Sequence, residues 1–237
     1  NLGCPAPKVA RKGEGATFAL NRPDEAIKAF SVIAETSRIP VTAKIRILSE
    51  TDAEKTVEFA RRLEDAGART ITIHGRVMKM FYSGTVFHNV IREVRNALKI
   101  PVVANGGALN AALYRTLLEH TGCDCGMIAR GALGNPWIFR EIADPLSKPP
   151  TLAELVDEIE AHIGSMIDFY GEEIALRIGR KTLLEYLRGR GFHGSLRASV
   201  SFLVTRDDFS RFMSEVRKGP SAHYWQMLES IPDHERK

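Results

Sequence analysis

Short β-branched runs alternate with longer stretches of three- and four-residue apolar spacing as far as a Pro-rich break at residues 147–150. This is the pattern of successive strand–helix units. Four complete strands are predicted, at 41–47, 70–74, 102–105 and 126–129, with a stub at Asn1 and Leu2 just before a Gly-Cys-Pro turn. Between them, residues 24–36, 52–66, 86–98 and 110–120 carry the spacing of amphipathic crossover helices. Asp24 and Asp52 stand where N-caps belong, and Gly67 and Gly122 stand just past helix ends.

Parallel strands joined by helices leave two architectures, an open doubly wound sheet or a (β/α)8 barrel. Parity separates them. In 41–47 the apolar Val41, Ala43, Ile45 and Ile47 share one face, while Thr42, Lys44 and Arg46 share the other; Thr72 and His74 likewise form a polar face. A sheet covered by helices on both sides favours continuous apolar runs, whereas a barrel lumen accepts polar groups near its mouth. The reading is therefore an α/β protein, with residues 1–147 forming the C-terminal portion of a TIM-type (β/α)8 barrel. After Pro150 the strand signal ends. Thr151-Leu-Ala-Glu154 is a capping box, and helical patterns at 151–170, 175–190, 195–204 and 207–217 predict a small all-helical domain over 151–237.

Composition narrows the class. The 237 residues are 44% hydrophobic and 26% charged, which excludes disorder and low complexity. Three cysteines cannot build a disulfide framework. No run approaches the ~20 apolar residues of a membrane span, and the N-terminus lacks a signal-peptide layout. A soluble, cytoplasmic protein is expected, with no membrane contact and no obligatory protein partner evident. The net charge of +4 is small, so a nucleic-acid partner has to be argued from local clusters.

Four groups of residues are candidates for chemistry. Cys4 sits at a strand end, where barrels do their chemistry, and is a candidate nucleophile or acid; a buried structural cysteine is the ordinary alternative. Lys8, Arg11 and Lys12 nearby either depress its pKa or face solvent or an anionic substrate. Lys44 and His74 share the lumen-facing parity, where a cation calls for an electron-rich ligand or a carboxylate. Asn105-Gly106-Gly107 and Ala129-Arg130-Gly131 close the last two strands, the usual place for a phosphate in a barrel. Finally, Arg177, Arg180, Lys181, Arg188, Arg190, Arg197 and Arg206 stand against Glu185 alone, giving +6 between residues 177 and 206. Tyr186, Phe192 and His193 lie among them, as stacking aromatics would in a nucleic-acid site; a solvated helix face is the competing reading. Cys123 and Cys125 lack a second Cys or His pair, so no metal site is expected and Cys125 reads as strand core.

At these residues the sequence resembles the tRNA-dihydrouridine synthases. The resemblance rests on Asn1-Leu-Gly-Cys-Pro5 with Gly13-Glu-Gly15, Ala43-Lys-Ile-Arg46, His74-Gly-Arg76 with Tyr82-Ser-Gly84, Asn105-Gly-Gly107, and Ala129-Arg-Gly131 with Asn135-Pro-Trp137. It implies that FMN lies across the barrel mouth, held by Lys44, His74, Asn105, Gly106, Gly107, Ala129, Arg130 and Gly131, and that NADPH is the reductant. It implies further that Cys4 protonates C5 of a flipped-out uracil. Contacts to tRNA are implied at Asn1, Lys8, Arg11, Arg76, Arg177, Arg180, Lys181, Tyr186 and Arg188. Val77 and Met78 depart from the family, which carries Thr and a second Arg there. The family's first three strands precede Asn1, so the chain is expected to be part of a longer polypeptide. Two rival readings remain: another FMN barrel oxidoreductase acting on a small molecule, such as a dihydroorotate or dihydropyrimidine dehydrogenase relative, and a non-catalytic RNA-binding protein on a degenerate barrel. The basic helical region weighs against the first, and the set Cys4, Lys44 and His74 against the second.

Overall fold

A computed structural model describes residues 1–221 and Tyr224. The remainder of the predicted helical domain, residues 222, 223 and 225–237, lies outside the described residues. The chain divides into two compact units, Asn1–Gly131 and a second beginning at Ala132.

The first unit is a four-stranded parallel sheet in chain order, β1 (Ala43–Arg46), β2 (Ile71–His74), β3 (Val102–Asn105) and β4 (Cys125–Met127). Leu2 adds a single parallel bridge to Ile45, which is the predicted stub. Two short helices, α1 (Pro7–Ala10) and α2 (Ala16–Asn21), precede the longer α3 (Pro23–Thr36). The crossovers between strands are α4 (Ala53–Asp65), α5 (His88–Ala97) and α6 (Ala111–Thr121). One sheet face is apolar because Ile45, Ile71 and Ile73 alternate with polar neighbours along their strands. They pack with Leu63, Ile91 and Leu117 of the covering helices, all essentially free of solvent. Each such side chain contributes about 1.5–3 kcal/mol by leaving water. The other face carries Lys44, Arg46, Thr72, His74 and Asn105.

Two boundary readings need correction. Asp24 does not cap α3: Pro23 occupies the first turn, Arg22 takes the cap position, and Asp24 pairs instead with Arg62 of α4. Proline presets φ for a first helical residue, which moves the start forward. Asp52 does hold the cap position of α4, but its side chain makes no capping bond; Asn110 caps α6 by accepting from the Leu113 amide. Cys125 is exposed rather than core, because it opens β4 at the sheet edge, and Cys123 is the buried thiol.

The second unit starts before the Pro-rich break. Its described residues form α7 (Ile138–Ala143), α8 (Leu152–Tyr170), α9 (Glu172–Leu187), α10 (Gly194–Ser199) and α11 (Arg206–Val216). The capping box forms as predicted: Thr151 accepts from the Glu154 amide while the Glu154 side chain accepts from the Thr151 amide. Helices α8, α9 and α11 share a core of Ile159, Ile163, Leu176, Leu183 and Met213. Residues 134–137 belong to this unit because they dock on α9: Arg190 donates to the Gly134 carbonyl and lies over the Trp137 ring at 5.5 Å.

Gly134 has φ +62°, and a Cβ there would lie 2.3 Å from the Glu185 carbonyl carbon in α9. Gly189 has a similar φ of +70° with nothing within 4 Å. Gly189→Ala should therefore cost only the ~1–2 kcal/mol of left-handed strain. Gly134→Ala should cost roughly 1–3 kcal/mol more, the scale of overpacking. Urea midpoints separate the two, and equal midpoints would show that the Gly134 turn does not press on α9.

Candidate active site

A cleft of about 270 Å³ opens at the C-terminal ends of the strands in the first unit. Register builds it. Arg46, His74, Asn105 and Met127 are matched partners across β1 to β4 and form one row at the strand ends. Lys44 lies two residues back on the same face of β1. Its ammonium donates to Asn105 Oδ1 at 2.9 Å, and Asn105 Nδ2 donates to the Met127 carbonyl at 2.8 Å.

Arg46 is the most deeply buried cation here, at 3% exposure. Its Nε donates to the Gly3 carbonyl at 3.0 Å and its Nη1 to the carbonyls of Arg76 and Val77. Arg76 in turn donates from Nε and Nη2 to the Gly84 carbonyl, at 3.0 and 2.8 Å, and its Nη1 lies 3.4 Å from His74 Nε2. The Tyr82 ring sits between Arg46 and Arg130, whose guanidinium carbons are 5.8 and 5.4 Å from its centroid.

Lys44, Arg46, Arg76 and Arg130 thus face one cleft that no Asp or Glu lines. Burial, followed by the charges of Arg46, Lys44, Arg76 and Arg130, pushes His74 down to about 3, so the imidazole is neutral at physiological pH. Burial and then Arg46 push Lys44 down from its ordinary value. Such a set of cations, removed from water and without acids, calls for an anionic or electron-rich ligand.

Cys4 lines the same cleft. The Gly13-Glu-Gly15 turn sets its position, since Ala16 donates to the Cys4 carbonyl at 3.0 Å and a Cβ on Gly15 would meet that carbonyl at 2.7 Å. Of the cations weighed beside Cys4, Lys8 and Arg11 are exposed on or beside α1 and do not line the cleft; Arg46 shares it with the thiol. Asn1 does line it, with Oδ1 accepting from the Gly3 amide.

The two glycine loops meet as well. Gly106 has φ +122°, and a Cβ on it would approach His74 Cδ2 to 2.9 Å. Gly107, Ala129 and Arg130 line the cleft, whereas Gly131 packs one loop on the other: its Cβ would fall 2.5 Å from the Ala108 carbonyl. Arg46 and Tyr82 line the cleft as well, and the motifs that contain them assigned neither a role. The parity of 41–47 had already put Arg46 beside Lys44.

In the second unit the basic stretch divides. Arg177, Lys181 and Arg188 are exposed on and just past α9, alternating with the exposed Ile174, Ile178 and Leu184. Arg180 turns inward and donates to the Leu203 carbonyl, and Arg190 is held within the unit. Tyr186 is not available for stacking: at 2% exposure it belongs to the core, its hydroxyl donating to Glu158 and lying 3.0 Å from His162 Nδ1. Burial, then Glu158, raises its pKa. Phe192 is buried too.

A cation-lined, acid-free cleft at the strand ends of a parallel α/β sheet, with a thiol on its wall, defines a protein built around an anionic, electron-rich ligand. Sequence comparison gives the family: the dihydrouridine synthase model matches residues 1–217, and the chain belongs to that family. A probable tRNA-dihydrouridine synthase of Rickettsia prowazekii (strain Madrid E) is 36% identical over 209 residues, covering 86% of this chain and 63% of that protein. The tRNA-dihydrouridine synthase B of Klebsiella pneumoniae is 38% identical over 193 residues, 79% of this chain and 60% of that protein. A probable tRNA-dihydrouridine synthase of Rhodobacter capsulatus is 38% identical over 188 residues, 77% of this chain and 58% of that protein. The chain spans about three fifths of the length of these relatives.

The depressed His74 gives a pH signature. The unfolded chain takes up a proton near the ordinary value of 6.5 and the folded one only near 3. Stability should therefore fall as pH drops from about 6.5 towards 3, because the unfolded state binds the extra proton in that window. His74→Asn should show a shallower dependence over the same range in urea unfolding. Identical slopes would remove His74 from the acid-labile set.

Proposed function

We propose that this chain carries the flavin and uracil sites of a tRNA-dihydrouridine synthase, an FMN-dependent oxidoreductase that reduces uridine in tRNA to 5,6-dihydrouridine. The observation that carries the reading is the row Arg46, His74, Asn105 with Lys44, facing an acid-free cleft that Cys4 shares. Strands laid in chain order, without the reversal of a doubly wound sheet, support half of a (β/α)8 barrel as the setting.

The residues fit FMN. Lys44 and the neutral His74 would hold the ring system, and Asn105-Gly106-Gly107 with Ala129 and Arg130 would hold the phosphate, with Gly131 keeping the two loops in contact. FMN, when bound, supplies the hydride that saturates C6 of the uracil, with NADPH as the source of electrons. Cys4 holds the proton at Sγ and delivers it to C5, and the thiolate regains a proton from solvent. Asn1 and Arg76 stand on the cleft wall where the extruded uridine enters; taking a base out of its stack is required of any enzyme acting on folded RNA. The exposed face of α9, with Arg177, Lys181 and Arg188, would contact the tRNA backbone, and the work would be done in the cytoplasm. No helix among the described residues is long and apolar enough to cross a membrane.

Cys4→Ala should retain the flavin absorption band and NADPH-driven flavin reduction while slowing tRNA reduction ~10²–10⁴-fold, the usual contribution of a general acid. An unchanged single-turnover rate would take the proton-donor role from Cys4.

Replacing Arg177, Lys181 and Arg188 together with Gln should weaken tRNA binding and flatten its salt dependence by roughly 0.7–0.9 in slope per lost phosphate contact. Equal affinity and slope across a salt series would leave α9 as a solvated face and favour a small-molecule substrate.

A further inference from the structure

We propose that a second pocket beside the cleft receives the nucleobase adjacent to the reacting uridine and prefers one bearing an amino group. The inference rests on reading the cleft as the uridine site.

This pocket, of about 360 Å³, opens at the end of β1 between the loops that follow β1 and β2. Its walls are mainly apolar, from Leu2, Leu48, Val77 and Met78. Arg46 lines both cavities, so its side chain forms a wall that they share. A ligand filling both must place two flat groups side by side on a short linker, as two successive nucleotides do. Apolar walls and a guanidinium plane are the surfaces on which unstacked bases rest.

Charge distinguishes the two cavities. Glu50 is the single carboxylate on the wall of either, and Oε1 of that side chain is shut off from solvent. Its partner is the Lys79 ammonium at 2.9 Å, on a side chain that is itself 77% exposed. The Glu50 side chain is still 29% exposed, and the part of the carboxylate not held by Lys79 is the acceptor for an exocyclic amino group, as carboxylates are for N4 of cytosine. Lys79 at the lip is placed for the phosphate that links the two nucleotides. The walls are fixed in advance: the Leu48 amide donates to Thr56 Oγ1 at 3.0 Å, the Asp52 amide to Ser49 Oγ at 3.1 Å, and Thr17 Oγ1 to Met78 Sδ at 3.2 Å.

The test uses the FMN-loaded protein, wild type and the variants Glu50→Gln and Leu48→Trp. The probes are RNA hairpins whose target uridine is flanked, on each side in turn, by cytosine, uracil or an abasic residue. Affinity by fluorescence anisotropy and kcat/KM for uridine reduction are both read. Wild type should favour cytosine over uracil on one side by roughly tenfold, the discrimination expected of one good base contact. Glu50→Gln should erase that preference. Leu48→Trp, which fills the pocket, should bring the cytosine hairpin down to the abasic level, with NADPH-driven flavin reduction unchanged in both variants. Wild type that treats all three flanks alike on both sides, or variants that keep its preference, would overturn the proposal. Hairpins that bind without reduction of any uridine would sink the synthase reading instead, and the affinity series would still decide the pocket.

Discussion

A guanidinium taken out of water has to find acceptors for its N–H groups, and Arg46 finds them in three backbone carbonyls on two different loops. Gly3 precedes Cys4, while Arg76 and Val77 follow β2. One side chain therefore fixes the height of the thiol loop against the loop that carries Arg76. The same charge helps hold His74 neutral, since protonation would add a fifth positive charge to a cleft without a carboxylate. The cleft's electrostatics follow from that arrangement: donors and cations are already oriented around a space without a carboxylate.

Much of the sheet was legible because burial on one side forces a period of two. Lys44 falls on the polar parity of 41–47, and the structure joins it to Asn105 on the polar face of the sheet. Strand ends also mark the positions of Cys4 and both glycine loops, which the structure places on one cleft. What escaped was mostly tertiary. Tyr186 looked like a surface aromatic among cations, yet it follows Leu176, Gly179 and Leu183 on the inner face of α9, and Glu158 and His162 give its hydroxyl partners. Counting charges along 177–206 could not show that Arg180 and Arg190 turn inward. Nor could a Pro-rich break reveal that residues 134–137 already pack on α9, because that docking depends on glycine geometry rather than on composition.

Local pairing shapes the basic face further. Arg177 lies against Glu173, and Arg188 against Glu185, whereas Lys181 has no ion-pair partner among the described residues. Exposed pairs of this kind add little stability, typically under ~1 kcal/mol. They do spread the positive charge over a mixed surface in which apolar side chains alternate with cations.

Asn105 also shows how little latitude the row of strand ends allows. Its amide is used at both ends, the oxygen accepting from Lys44 and the nitrogen donating to the Met127 carbonyl. Conversion to aspartate would keep the Lys44 contact and strengthen its charge, while turning the other end from a donor into an oxygen facing an oxygen. β3 and β4 would then repel at the very row that lines the cleft. A single uncharged amide nitrogen thus keeps two neighbouring strand ends together at the cleft.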